Sequence, residues 1–112
     1  MASDDPELVA FYARLDLPAT ISRRQFFQGL AQRTPPLIAE EEALAAVTSG
    51  TIPAGMAALV AQLPAGAPFE AKMRISGDAK YHRHHPFTEQ FAALYGWTPA
   101  MTDEFWVFCA GL

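Results

Sequence analysis

The residues best suited to chemistry are the three histidines, which all lie between positions 82 and 85. Imidazole rings bind transition metals when several ligands converge, usually with a thiolate or carboxylate completing the set. In an extended chain His82 and His84 face one way and His85 the other. The nearest carboxylates, Asp78 and Glu89, give no familiar ligand spacing. We therefore expect no metal; the alternatives are an exposed loop before a helix, or a pH-sensitive surface that contacts anions.

The nucleophilic side chains lack the partners that catalysis needs. Cys109 is the single cysteine, and its apolar neighbours offer no base, which predicts a buried and inert thiol. The serines lie outside any nucleophile-elbow motif. No glycine-rich phosphate loop is present. The sequence predicts a protein that is not an enzyme, with no catalytic residues and no cofactor.

The charge pattern places one basic band between two acidic segments, with a net charge of −4. Residues 71–85 carry Lys72, Arg74, Lys80 and Arg83 against Asp78 alone. Nucleic-acid binding normally needs a denser basic face, so we expect no nucleic-acid partner. We also expect no membrane partner, because no apolar stretch approaches the length of a span. The first residues lack the features of a signal peptide, which predicts a cytoplasmic protein.

Prolines and capping residues divide the chain into about five or six short helices. Ser22 followed by Gln25 has the spacing of a capping box, and Gly50 is a typical C-terminal cap. The predicted helices run from Pro6 to Pro18, Ser22 to Thr34, Glu40 to Ser49, Pro53 to Pro64, Pro86 to Gly96, and from Pro99 onward. These features predict an all-α fold, a compact bundle that forms a single domain over residues 1–112.

Residues 69–85 are ambiguous between helix and hairpin. Apolar and charged residues alternate over 69–75, which is the period of a strand, but Glu70 and Arg74 also have helical spacing. A turn at Gly77-Asp78 would return a second arm through residues 79–85. Because a lone hairpin is marginal in water, we favour a short helix followed by an extended link. More than half of the chain should be helical, with fewer than about six residues in strands.

Apolar stripes at helical spacing predict the core. Its expected members are Phe26, Phe27, Leu30, Leu44, Val47, Met56, Leu59, Val60, Phe91 and Leu94. The pair Arg23-Arg24 lies in the first turn of its helix, where the helix dipole disfavours cations. These two side chains are either solvated, or paired with the acidic turn at residues 40–42 or with a partner.

The last helix has more aromatic residues than one stripe accommodates. Phe105, Trp106 and Phe108 point about 100° or more apart in two of their three pairings. These residues, together with Arg83 and His84 of the basic band, are therefore candidates for a contact between chains. A homo-oligomer is one form of it. The alternative is full burial, with the fifth helix and the first helix clamping the last one.

Several short motifs occur in a recognisable order along residues 21–112. They are Ile21-Ser22-Arg23-Arg24-Gln25-Phe26-Phe27, a Glu-Ala-rich helix, Ile52-Pro53-Ala54, Leu63-Pro64-Ala65, Arg83-x-His85-Pro86 and a final Thr-x-x-x-Thr-Asp-x-Phe. In these features the chain resembles small uncharacterised helical proteins encoded among the tail genes of alphaproteobacterial phages and prophages. The extra N-terminal helix, the histidines and the aromatic last helix depart from that pattern.

The resemblance implies a viral protein in a phage setting. The expected function is that of a non-enzymatic minor tail component or tail-assembly helper, which acts by binding phage structural proteins. The expected location is the host cytoplasm, with incorporation into the virion left open. The alternative is a small phage-encoded inhibitor of a host defence protein, since an acidic surface suits a basic nucleic-acid groove.

Overall fold

A computed structural model describes residues 18–112, and this part of the chain is 62% helical. The elements are β1 (Thr20–Ser22), α1 (Arg23–Gln32), α2 (Glu40–Ser49), α3 (Ala54–Val60), α4 (Ala67–Gly77), β2 (Lys80–His82), α5 (Pro86–Leu94) and α6 (Pro99–Ala110). This confirms the predicted all-α bundle, to which a two-stranded sheet is added. The helix predicted before Pro18 lies outside the described residues.

The helix ends follow local signals in the sequence. The Ser22 hydroxyl accepts a hydrogen bond from the Gln25 N–H (3.1 Å), and the Gln25 side chain accepts one from the Ser22 N–H (2.9 Å), which confirms the capping box. The side chains of His85 and Thr98 cap α5 and α6 by each accepting a hydrogen bond from a backbone N–H in the first turn of the helix. Gly50 ends α2 with a φ of 70°, a conformation that glycine adopts without strain.

The link after α4 is a strand, which corrects the prediction of an unpaired extended link. Residues 67–77 form the favoured helix, but β2 then pairs antiparallel with β1, and Ile21 lies opposite Tyr81. Both of these side chains are buried. The strands hold six residues in all, slightly more than expected. The pairing joins segments about sixty residues apart, so no local period along residues 79–85 reveals it.

The core is built around α1 and is rich in aromatic rings. Phe26, Phe27 and Leu30 are at most 1% exposed, as predicted. The Phe26 ring contacts five other rings, namely those of Phe27, Tyr81, Phe91, Phe105 and Trp106. Four of these five pairs are edge-to-face, and such pairs add to the stabilisation that comes from burial alone.

The predicted core is right for three further residues and wrong for two. Met56, Val60 and Phe91 are buried, and Leu59 and Leu94 are half-buried. Leu44 and Val47 were expected inside but are 65% and 40% exposed. The reason is that α2 packs through its small residues Ala43 and Ala46, so the larger side chains one position further along face outward.

No described helix is by itself long and apolar enough to cross a membrane; only α2 and α3 taken together, with a 71° bend between them, meet that test, and by length and composition alone.

Candidate functional site

The aromatic residues of α6 were candidates for contact with a partner, but two of the three lie in the core. Phe105 is 5% exposed and Trp106 is 1% exposed. The Phe105 ring packs on Trp97 with 4.9 Å between the ring centroids, and the rings of Phe105 and Trp106 both contact Phe26 of α1. The alternative of burial is therefore correct for these two side chains, and they offer no surface to a partner. Phe108 is 41% exposed and stays on the surface.

Arg83 was also expected on a contact surface, but its side chain is only 4% exposed. Its Nε atom is 2.6 Å from an Asp103 carboxylate oxygen, and its NH1 atom is 2.8 Å from Glu89. Its NH2 group donates to the Pro99 carbonyl at 3.2 Å. The guanidinium therefore holds β2 to α5 and α6, and its charge is balanced within the fold. Because the side chain is buried in these contacts, it offers almost no surface to a partner.

The histidines do not converge. His82 and His84 are exposed, whereas His85 is half-buried and its Nδ1 atom accepts a hydrogen bond from the Phe87 N–H at 3.0 Å. Within residues 18–112 no three His, Cys, Asp or Glu side chains form a group that could hold a metal ion. Of the basic residues predicted as contacts, His84 alone is exposed.

Cys109 is a buried thiol, as predicted. It is 0% exposed, and burial raises its pKa to about 12. At neutral pH the side chain is therefore protonated, whereas a thiol nucleophile acts as the thiolate. Its sulfur packs closely against Gly29 of α1, where any larger residue would collide with it. The arrangement favours a packing role for Cys109.

An exposed apolar trough lies between α1 and α2, and we call it the α1–α2 groove. It is open to solvent and has a volume of about 420 Å³. The lining residues are Arg24, Gln28, Ala31 and Gln32 of α1 and Glu40, Ala43, Leu44 and Val47 of α2. Apart from Glu40, the α2 residues that line the groove are apolar, whereas two of the four α1 residues, Gln28 and Gln32, have amide side chains. An apolar trough with a polar rim is a common form of protein-binding site.

The two helices that form the groove run antiparallel. The guanidinium group of Arg23, at the start of α1, donates to the Ile75 carbonyl of α4 at 2.9 Å. The next residue of α4, Ser76, donates to the carbonyl of Gly50, at the end of α2, also at 2.9 Å. The start of α1 therefore lies beside the end of α2. Arg24 and Glu40 consequently stand at opposite ends of the groove.

The α1 wall of the groove is ordered by a run of hydrogen bonds. Arg24 donates to the Gln28 side chain at 2.7 Å and to the carbonyl of Leu112 at 3.1 Å. Gln28 donates in turn to Gln32 at 3.3 Å. Arg24 is thus bonded to its own helix and to the chain end, and the alternative pairing with the acidic turn at residues 40–42 is not formed. Glu40 remains exposed at the far end.

The sequence prediction missed the groove because it assigned the wrong apolar stripe of α2 to the core. Leu44 and Val47 were placed inside as the larger members of the α2 stripe. The informative signal is a face of small residues at i, i+3 and i+7, formed by Ala43, Ala46 and Gly50. Small residues let two helices approach closely, so such a face predicts the packed side of α2.

No protein-family model, no curated protein and no solved structure matches this chain. Its function must therefore be inferred from its own surfaces. Among the described residues, the α1–α2 groove is the surface that combines exposed apolar side chains with an ordered polar rim and opposite charges at its ends.

Proposed function

We propose that this protein is a non-enzymatic phage protein, a minor tail component or tail-assembly helper, that binds an amphipathic helix of another phage protein in the α1–α2 groove. The observation that carries the proposal is the exposure of Leu44 and Val47, 65% and 40%, in a trough between two helices. The phage setting rests on the resemblance of residues 21–112 to proteins encoded among phage tail genes.

A helix suits the groove because of the groove's shape. Two antiparallel helices leave a straight trough between them, and a third helix packs into such a trough with apolar residues at i, i+3 or i+4, and i+7. Covering an exposed leucine or valine contributes about 1.5–3 kcal/mol at full burial. The two side chains therefore supply enough apolar surface for a modest but specific contact.

The charges at the two ends orient the bound helix. Glu40 favours the positive N-terminal end of a helix dipole, and Arg24 favours the negative C-terminal end. A partner helix would then run parallel to α2, with basic residues near Glu40 and acidic residues near Arg24. The side chains of Gln28 and Gln32 line the wall between these ends and offer amide groups to the partner's polar edge.

A photo-crosslinking residue at position 47 of the full chain tests the proposal in lysogenic cells that are producing phage. We expect a crosslink to a second phage protein that is also present in purified virions or tail-assembly intermediates. Leu44→Asp should abolish the crosslink without unfolding the domain, because Leu44 is a surface residue. Phe69→Asp is the matched control, since Phe69 is equally exposed but lies on α4, and it should leave the crosslink intact.

Two results would overturn the proposal. A crosslink that survives Leu44→Asp would show that the groove is not the contact surface. A crosslink to a host protein alone, with no phage protein captured, would replace the tail function with inhibition of a host factor.

A further inference from the structure

The strand β2 has an outer edge along which most backbone groups have no hydrogen-bond partner among the described residues. In an antiparallel pair, residues alternate between those that exchange hydrogen bonds with the partner strand and those whose N–H and C=O groups point away. The backbone N–H of Arg83 donates to the Ala19 carbonyl at 2.8 Å, and the backbone N–H of Arg23 donates to the Ala79 carbonyl at 3.0 Å. These bonds place residues 79, 81 and 83 on the paired side. The backbone groups of Lys80 and His82 therefore point to the opposite edge.

Three of the four backbone groups on that edge have no partner within residues 18–112. They are the N–H and C=O of Lys80 and the N–H of His82. The fourth group, the His82 carbonyl, accepts hydrogen bonds from the Thr88 hydroxyl and the His85 N–H. An open strand edge of this kind is a template for an added strand. The lysine on this edge, Lys80, disfavours pairing with an apolar strand.

The same edge borders a surface concavity of about 460 Å³ that is lined with basic side chains, which we call the β2-edge concavity. Its lining residues are Arg74, Asp78, Ala79, Lys80, His82 and His85. Lys80 and His82 project from the same face of β2, opposite to the buried Tyr81. The concavity therefore joins unpaired backbone groups to two exposed basic side chains on one short strand.

Two further side chains complete the basic lining. The His85 Nδ1 atom accepts the Phe87 N–H, which assigns the proton of the neutral ring to Nε2 and makes that atom a donor. Arg74 is 3.4 Å from Asp78 and 3.6 Å from Glu70, which are long, partly solvated pairs. A carboxylate from another molecule can compete for such a guanidinium group.

We propose that the β2-edge concavity binds an extended acidic segment of a partner protein, which adds a strand to the free edge of β2. The strand's backbone would pair with Lys80 and His82, and its carboxylates would lie beside the Lys80, His82 and Arg74 side chains. Backbone pairing supplies affinity in this mode of recognition, and the side-chain sites supply specificity. The surface is separate from the α1–α2 groove, so the inference stands independently of the proposed function.

The experiment uses the full chain labelled with ¹⁵N and a capped peptide of alternating Glu and Val, five residues long. We expect saturable shifts of the Lys80 and His82 amide resonances. The same peptide with every backbone amide methylated should bind at least about tenfold more weakly, because it keeps the charges but cannot donate to the edge. A peptide with Lys in place of Glu should not bind.

Variants test the charged lining. Lys80→Glu should weaken the peptide about tenfold or more, and Lys80→Gln should weaken it by a smaller factor. Lys72→Glu is the matched control, because Lys72 is an exposed lysine of α4 outside the concavity, and it should change binding less than about twofold.

Further outcomes would overturn the inference. These are equal losses in the Lys72 and Lys80 variants, unchanged binding of the methylated peptide, or amide shifts that leave Lys80 and His82 unaffected. Leu44→Asp should not change peptide binding, so failure here is distinguishable from failure of the groove proposal.

Discussion

The helices α6 and α2 reverse the exposure that their compositions suggest. The most aromatic of the described helices, α6, buries Phe105 and Trp106 and leaves Phe108 41% exposed. In contrast, α2 has few large apolar residues and exposes the two largest, Leu44 and Val47. The comparison shows that the exposure of an apolar side chain depends on how many neighbours surround its helix, and not on how apolar the helix is.

The neighbours of the two helices explain the difference. Contacts to α6 come from α1 on one side, from β1 on another, and from Trp97 in the link that precedes it. The main packing partner of α2 is α1. A helix held on several sides buries residues in several directions, whereas one held on a single side buries a narrow stripe.

The largest expected effect is on the free energy of unfolding, when one residue of α6 and one residue of α2 are each replaced by alanine. Trp106→Ala should lower the free energy of unfolding by about 3–5 kcal/mol, because it leaves a large cavity in the core. Leu44→Ala should change it by no more than about 0.5 kcal/mol, because its side chain is mostly in water. Chemical denaturation of both variants measures the two values.

The indole itself provides a control for that contrast. The Trp106 Nε1 atom is buried and has no hydrogen-bond partner among the described residues. Trp106→Phe keeps most of the ring and removes this unpaired donor, so it should cost clearly less than Trp106→Ala. Similar losses for Leu44→Ala and Trp106→Ala would contradict the contrast between α2 and α6.

A smaller loss of stability is expected from substitutions in the contact between α1 and α6. Gly29→Ala should destabilise the protein by about 1–3 kcal/mol, since the added Cβ would collide with the Cys109 sulfur. Cys109→Ala removes that atom, so the double variant should lose less than the sum of the two single variants. A thermal-denaturation double-mutant cycle measures the coupling.

Gly55 is the matched control glycine, because a Cβ added to it meets nothing within 4 Å. Gly55→Ala should leave stability unchanged or raise it by up to about 1 kcal/mol, through the better helix propensity of alanine. Additive losses in the Gly29 and Cys109 cycle would mean that the α1–α6 contact is not tightly packed.

The third expected effect is on thiol chemistry. Burial raises the pKa of Cys109 to about 12 from an ordinary value of 9.0, so a disulfide reagent at pH 8 should not label the native protein and should label it after unfolding. Above about pH 9 the unfolded state loses this proton before the folded state does. The contribution of Cys109 to stability should therefore be constant below about pH 9 and be lost as the pH rises towards 12.

A cysteine placed on the other helix sharpens this test. Leu44→Cys in a Cys109→Ala background should react readily at pH 8 without unfolding, because position 44 is exposed. Slow labelling at position 44 would show that another part of the chain, or a second copy, covers the groove.

Local signals predicted the helix boundaries well. The capping box at Ser22 and Gln25, the glycine cap at Gly50, and the proline starts at Pro86 and Pro99 each act through neighbours within four residues. Signals of such short range can be identified from the sequence alone, because all the residues involved are close together along the chain. The β1–β2 pair was missed because its hydrogen bonds join segments sixty positions apart.

The candidate contact surfaces were predicted less well. Of the five predicted contact residues, Phe108 and His84 are exposed, whereas Phe105, Trp106 and Arg83 are buried. Arg83 is buried because Asp103 and Glu89 meet it from two helices that follow it in the chain. No spacing rule relates such residues, since their approach depends on how the helices pack.

The sequence by itself determined the helical fold class, the main helix ends and the burial of Phe26, Phe27 and Phe91, because capping and amphipathic periodicity are local properties of the chain. Only the tertiary structure decided which faces stay free. It covered α6 from several sides, packed α2 through its alanines and so opened the α1–α2 groove, and paired β2 along one edge while leaving the other open. These outcomes depend on which elements become neighbours, and that is settled by the packing of the whole chain rather than by any one segment.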